Sequence, residues 1–303
     1  MSQTIVDIAD LDCIYLTYDE PQKEEFWIKI QNMVPWAKRV DGVKGSDAAH
    51  KAAAAASETE RFVLIDGDNM PDPAFFNLQL KLDDVSSKAV LRWRARNHIN
   101  GLMYGNGGMS CWTREFINNM KTHEASDGRN ETLVEFCFDE YYWPMHDCYS
   151  TTYPNASSFQ AWRAGFREGV KMILNRGKLP TLQEFEGSVH QRNLDNLTIW
   201  MNVGADVENG EWAMRGAQQG TWMSLLGGWD YRNVQDFSKV EKVWHETDHS
   251  VFFGGLLKQK LGLPMPQYDA EGSAFFKRHY RSNFYNLGPM VKEIDVIRRQ
   301  EGW

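Results

Sequence analysis

The most specific chemical spacing in the chain is Arg61-Phe62-Val63-Leu64-Ile65-Asp66-Gly67-Asp68-Asn69. An apolar run, Phe62 to Ile65, stops at two aspartates separated by one glycine. Such a run bounded by turn residues reads as a buried strand. Gly67 permits a sharp turn where the strand leaves the sheet. There both carboxylates can converge on one hard divalent cation, which prefers oxygen ligands. Ligands of α/β sheets bind at the carboxyl ends of the strands. The plainer reading is an acidic turn, because Asp, Gly and Asn are common turn residues.

Other residues carry weaker signals. Phe136-Cys137-Phe138-Asp139-Glu140 is a second short apolar run ending in acids. Arg92, Arg94 and Arg96 share one face of a strand by period two. Arg163, Arg167 and Lys171 recur every four residues on a helix and form one stripe. With Trp93 and Trp162 nearby, this is a basic and aromatic pattern that can follow a phosphate backbone and stack a base. The alternatives are a solvated helix face paired with Glu168 and other acids, or an arginine row that holds a diphosphate.

The elements that must position these residues alternate. A first strand, Cys13 to Asp19, precedes a helix over 22–34 with Phe26, Ile30 and Met33 on one stripe. A short strand at Lys38 to Val43 leads to a second helix over 46–57, which Ser46 or Asp47 can cap and five alanines favour. The strand ending at Asp66 follows. This series predicts a mostly parallel sheet flanked by helices. No Gly-x-Gly-x-x-Gly follows the first strand and no Gly-Lys-Ser/Thr appears, which argues against a dinucleotide-binding Rossmann domain or a P-loop enzyme.

Pro73 suits a helix start, and Ala89 to Arg96 reads as a strand. Asn100 to Trp112 contains Gly105-Asn106-Gly107-Gly108, a place for close backbone approach to a ligand. Beyond Tyr149 the texture is mainly helical: Phe159 to Asn175, stopped by Gly177 and Pro180, then 181–187, 206–220, 247–261 and a charged tail helix over 291–300. The expected domains are 1–149 and 150–303.

Composition sets outer limits. The chain has 303 residues, 42% hydrophobic and 24% charged, the profile of a globular protein. Its net charge of −8 argues against a bulk electrostatic grip on nucleic acid, though not against a local basic groove. Cys13, Cys111, Cys137 and Cys148 form no Cys-x-x-Cys pair, so structural zinc is not expected and a reducing cytosol is. The first residues lack signal-peptide character, and no apolar run reaches the ~20 residues that span a bilayer. The expected location is the cytoplasm, with no membrane partner.

The order of elements over residues 11 to 145, with a further match near Trp244-His245, resembles the GT-A class of nucleotide-sugar glycosyltransferases. Asp66-Gly67-Asp68 matches that class's Asp-x-Asp motif. The resemblance implies that Asp66 and Asp68 hold a divalent metal, manganese or magnesium, which bridges the diphosphate of a nucleotide sugar such as a UDP-sugar. It implies donor contacts at Thr17, Tyr18, Asp19, Lys44, Asp66 and Gly67, and at Gly107 and Gly108 near the donor sugar or acceptor. A histidine at a later strand end would complete the metal site. Lys242-Val243-Trp244-His245 fits that description, with His249 as runner-up. Asp139 or Glu140 would be the general base that takes the acceptor hydroxyl proton. The alternatives are a packed histidine beside a Trp, a first-turn surface residue after a Thr247 cap, and a loop acid.

A fainter likeness concerns Trp162 to Lys171 and Val203 to Trp212, whose texture is similar to bacteriophage glycosyltransferases that decorate hydroxymethylated pyrimidines in DNA. It implies a 5-hydroxymethylcytosine acceptor, a glucosyl or arabinosyl donor, a host-cytoplasmic setting and acceptor contacts from Arg92, Arg94, Arg96, Arg163, Arg167 and Lys171. A glycan, protein or small-molecule acceptor is the second expectation. A non-catalytic nucleic-acid-binding protein with a degenerate transferase fold is the third.

Overall fold

The computed structural model describes residues 4–120 and 139–280. They fall into two compact units. The first holds the residues up to Asn97 and those described between Met103 and Tyr153; the second holds His98–Leu102 and the residues from Pro154 on.

In the first unit the chain runs β1 (Thr4–Asp7), β2 (Asp12–Thr17), α1 (Lys23–Met33), β3 (Lys38–Asp41), α2 (Ser46–Ala56), β4 (Arg61–Asp66), β5 (Asn69–Pro71), β6 (Gln79–Leu82), β7 (Val90–Asn97), β8 (Met103–Thr113), α3 (Arg114–Asn119) and β9 (Tyr142–Thr152). β1 and β6 form a small antiparallel pair. The others make one seven-stranded sheet, in the order β3-β2-β4-β8-β7-β9-β5.

The alternation of strand and helix over the first seventy residues is present, and its parallel core is β3-β2-β4. β2 is buried on both faces. Cys13 and Tyr15 pack with Phe26 and Ile30 of α1, while Ile14 packs with Ala53 and Ala54 of α2. Two-sided burial explains why this strand reads as a near-continuous apolar run. Because β3 lies on one side of β2 and β4 on the other, the strand order reverses at β2.

The sheet is mixed rather than mostly parallel. β8 runs antiparallel to both β4 and β7, and β5 is antiparallel to β9. The cause is connection length: Asn97 and Met103 are joined by only His98–Leu102, and a parallel return needs a crossover of about a dozen residues.

Several boundaries differ from those expected. α2 starts after Gly45, whose φ of 92° makes the turn, so glycine holds the cap position and Ser46 is the first helical residue. Pro73 opens a single 3-10 turn, Pro73–Asn77, and no α-helix. Residues 136–138 and the helix expected over 291–300 lie outside the described residues.

The second unit contains α4 (Ser158–Lys171), α5 (Phe185–Ser188), α6 (Gln191–Asn202), α7 (Gly210–Leu225), α8 (Phe237–Glu246), α9 (Phe253–Leu261) and α10 (Ala270–Tyr280). The helix expected over 159–175 is α4, started by Ser157, whose hydroxyl accepts from the Gln160 N–H at 3.2 Å. α4 and α7 meet backbone to backbone. A Cβ on Gly165 or Gly169 would collide with the carbonyl oxygens of Ala213 and Ala217, and one on Gly216 or Gly220 with those of Trp162 and Phe166. The buried Trp162 indole fixes the crossing by donating to Gln219 Oε1 at 3.0 Å.

Candidate functional site

β2 and β4 end side by side, with Leu16 opposite Asp66. Each strand then enters an acidic turn: Asp19-Glu20 after β2, and Asp66-Gly67-Asp68 at the end of β4. Two neighbouring strands at the point where strand order reverses leave a crevice at their carboxyl ends.

The turn at Gly67 is held by Tyr15, whose buried hydroxyl donates to the Gly67 carbonyl at 2.8 Å. The Tyr15 ring lies parallel to Trp27 at 6.0 Å. Burial, with smaller contributions from Glu20 and Asp68, pushes its phenol pKa far up, so it stays a donor. Asp68 is fixed from β9: Thr152 Oγ1 donates to its carboxylate at 3.1 Å, and the Tyr153 N–H donates to its carbonyl at 2.7 Å. Asn69 is fully buried opposite Thr152, and neither polar atom of its carboxamide meets a protein partner.

Asp66 is open to solvent, yet its carboxyl pKa stands well above the ordinary value. Crowding by protein is the largest cause, and the charges of Asp68 and Glu20 add to it. The side chain keeps water in reach, so its desolvation is partial. Glu20 is half-buried, and its carboxylate fills the space beside Gly67 that a Cβ would need. Burial raises the Glu20 pKa, and Asp68 and Asp19 add to that; the Tyr18 N–H, donating at 2.8 Å, opposes it.

The other expected donor contacts gather at the same end of the sheet. Thr17 is only 2% exposed, and its hydroxyl is committed: it donates to Asp41 Oδ1 at 2.6 Å and accepts from Arg39 Nε at 3.1 Å. Asp41 also binds Lys23 at 2.7 Å, which together with Thr17 holds its pKa low. Tyr18 and Asp19 are exposed. Lys44 is exposed in the loop before α2. Gly107 and Gly108 lie in β8 beside Met109, the partner of Ile65. Between the pairs Trp93–Met109 and Ala95–Tyr104, β7 advances two residues and β8 five, so Gly105 to Gly108 form a bulge at the Asp66 end.

Asp139 and Glu140 are placed elsewhere. β9 is parallel to β7, and Tyr142 pairs with Val90 at the start of both strands. Through antiparallel β8, that start lies at the opposite end of the sheet from Asp66. Strand rise and strand spacing put these acids roughly 20 Å from Asp66. Both are exposed, and Asp139 Oδ1 caps the turn into β9 by accepting from the Tyr141 N–H at 2.8 Å. A general base at Asp139 or Glu140 does not agree with this placement.

His245 and His249 belong to the second unit. Lys242-Val243-Trp244-His245 is not a strand end but the last turns of helix α8, begun by Asp236 accepting from the Ser238 N–H. His245 is exposed and lies 3.9 Å from Glu241 one turn back. α9 begins at Phe253 and not near 247, so His249 sits in the preceding connection. Its Nε2 meets the Trp244 carbonyl at 3.0 Å, and its ring packs against Trp244 and Trp212.

The basic rows are engaged with rings. Arg92 lies 3.9 Å from the Tyr142 ring centre, and Arg94 meets His146 Nδ1 at 3.4 Å. Arg96 is half-buried on the same strand face. In the second unit Arg163 and Arg167 flank the exposed Phe237 ring at 5.1 and 4.8 Å, and Lys171 pairs with Glu168 at 3.5 Å.

Among the described residues, no set of three or more His, Cys, Asp and Glu side chains converges into a metal cage. Two carboxylates still fit a cation of the magnesium or manganese type, which takes one or two from the protein and the rest from substrate phosphate and water. No helix among these residues is long and apolar enough to cross a membrane. No protein-family model matches the chain, and no curated protein resembles it significantly.

Sequence reasoning passed over Glu20, Tyr15, Asn69 and Thr152. The signal for Glu20 was present, since Asp19-Glu20 ends the first strand as Asp66-Gly67-Asp68 ends the third. Thr152 carried none, because its contact with Asp68 joins residues far apart in sequence.

Proposed function

We propose that the chain is a GT-A-like, metal-dependent glycosyltransferase that moves a sugar from a nucleotide sugar, best a UDP-sugar, to an acceptor hydroxyl. The observation that carries this reading is the position of Asp66-Gly67-Asp68. It ends β4 at the reversal of strand order, with Asp68 and Glu20 near enough to raise the Asp66 pKa and a glycine bulge in the adjacent strand. Asp68 and Glu20 both raise the Asp66 pKa, and Asp68 raises that of Glu20; acids crowded in this way favour a partner of positive charge. A divalent cation there would neutralise charge developing on the departing nucleoside diphosphate. Asp66 and Asp68 would hold it; Tyr15 and Thr152 would fix the turn that presents them. The glycines of β8 admit a close approach of donor to backbone.

The acceptor in this reading is a hydroxymethylated cytosine in DNA, which must leave the stack to meet the donor, and the setting is a phage-infected cytoplasm. A glycan, protein or small-molecule acceptor is the second reading. It is favoured by the net charge of −8 and by the arginines already occupied with aromatic rings.

UDP titration with and without manganese tests the donor half. Metal-dependent binding that is lost in Asp66→Ala and Asp68→Ala is expected. Binding indifferent to metal, or to both substitutions, would remove the assignment. Mass spectrometry of nucleosides from hydroxymethylated and plain DNA, incubated with a panel of UDP-sugars, tests the acceptor half.

A further inference from the structure

The second unit carries a cavity of about 450 Å³ that the donor site does not explain. Its size lies in the ordinary range for small-molecule sites. One wall is a face of α8, where Lys239, Lys242 and Glu246 line the cavity at helical spacing. Facing them are Trp229, Met223 and Asn233. Trp229 is anchored by its edge-to-face contact with buried Phe166 at 5.2 Å and by its backbone N–H, which donates to the Met223 carbonyl at 3.0 Å. Lys239 Nζ donates to Asn233 Oδ1 at 2.8 Å, which sets an ammonium at the rim. Lys242 lies 3.7 Å from Glu246, and both are exposed. An exposed pair of this kind is worth little, so Lys242 is readily turned to another anion.

A flat indole, a soft thioether and two ammonium groups select a ligand with an aromatic ring and a negative charge close to it. The geometry points to a nucleotide-binding site in this cavity: a nucleobase stacked on Trp229, with its phosphate met by Lys239 and Lys242. The carboxamide NH₂ of Asn233 is placed to donate to a base edge. Glu246 opposes the phosphate and limits affinity. Every group invoked belongs to the second unit, whereas the acids of β2 and β4 belong to the first. The same chemistry is offered by a nucleic-acid strand and by a free nucleotide.

The test uses the full chain and a dye-labelled single-stranded thymidine tetramer at low salt, read by fluorescence anisotropy. UMP and an abasic phosphodiester of equal length serve as competitors. The tetramer is expected to bind, and the abasic chain to compete at least tenfold less well. Trp229→Leu should weaken binding about tenfold, in line with the loss of one stacked base. Lys239→Gln with Lys242→Gln should lower the salt slope by about 1.4, the value for two contacts to single-stranded phosphate. Glu246→Gln should tighten binding severalfold, a gain that no loss of folding can mimic. UMP competing as well as the tetramer assigns the site to free nucleotide; a tetramer that competes far better assigns it to a strand. Equal competition by the abasic chain, or no change in both Trp229→Leu and Glu246→Gln, would overturn the site. Manganese-dependent UDP binding, measured on the same variants, should be unchanged, which separates this result from the fate of the donor reading.

Discussion

Asp66→Asn should make the protein more stable without metal and less stable with it. Asp66 and Asp68 are two residues apart, which sets their Cα atoms about 7 Å from each other, and that span is taken as the scale of the charge separation. At an effective dielectric of ~20 that separation costs about 2 kcal/mol. Asp66 is open to solvent, and screening halves this to about 1 kcal/mol. The folded carboxyl pKa is raised by crowding and by Asp68 and Glu20. A raised carboxyl pKa means that the folded state binds more protons than the unfolded one. The penalty is therefore absent below the unfolded pKa of about 4, grows as pH rises from there towards the folded value, and is constant above it. Chemical denaturation at pH 7 in EDTA should show Asp66→Asn about 1 kcal/mol more stable than wild type, and the difference should vanish near pH 4. Manganese at a hundred times its dissociation constant should stabilise wild type by about 2.7 kcal/mol. The variant should gain little, so the order of stabilities inverts. A variant less stable than wild type in EDTA, or equal gains from manganese, would refute the reasoning.

Three further outcomes follow from the geometry. Gly165→Ala should destabilise the second unit by about 3 kcal/mol, because its Cβ meets the backbone of α7 and not a movable side chain; Gly187→Ala, which meets open space, should shift the midpoint by less than about 1 kcal/mol in urea titrations. Asp139→Asn and Glu140→Gln should retain sugar transfer, since both acids lie at the far end of the sheet; loss of kcat in either would contradict that placement. Tyr15→Phe leaves the Gly67 carbonyl without its buried donor and should cost about 1–2 kcal/mol, with weaker manganese-dependent UDP binding by calorimetry.

What could be read from sequence was local. The run Phe62 to Ile65 and the turn at Gly67 declare a strand and its end within a few residues. So do the helices that bracket β3, because helical period and propensity act at short range. Strand direction does not. Asp139-Glu140 ends an apolar run just as Asp66 does, yet β9 reads in the same direction as β7 and begins where β4 begins. The end of the sheet on which an acid lies depends on pairings tens of residues apart. Lys242 to His245 misled for another reason. Four residues alternate as well on a strand as on a helix, and the deciding signal was upstream, in the Asp236 cap and the Val240–Val243 spacing of the buried face. The arginine rows were correctly placed on β7 and α4. What the periodicity hid was their company, since Tyr142 and Phe237 reach them from other elements.

Asn69 gives the sharpest separation of stability from function. It is fully buried beside the acidic turn, and both polar atoms of its carboxamide lack a protein partner. A buried amide in that condition costs about 1–3 kcal/mol on the scale of protein substitutions. A residue that served packing alone would be apolar here. Its cross-strand partner Thr152 donates to Asp68, so the Asn69 side chain stands about 5 Å from a group that touches the carboxylate. The amide is thus close enough to bear on how Asp68 is held when a cation or diphosphate draws on it. Asn69→Leu, which keeps the branched shape of four heavy atoms, should raise the denaturation midpoint while lowering manganese-dependent UDP affinity. The two readouts move in opposite directions only if the unpaired amide is kept for the site. A variant that loses stability would show the amide to be satisfied in the native protein, and one that gains stability with unchanged UDP affinity would show it to be irrelevant to the acids beside it.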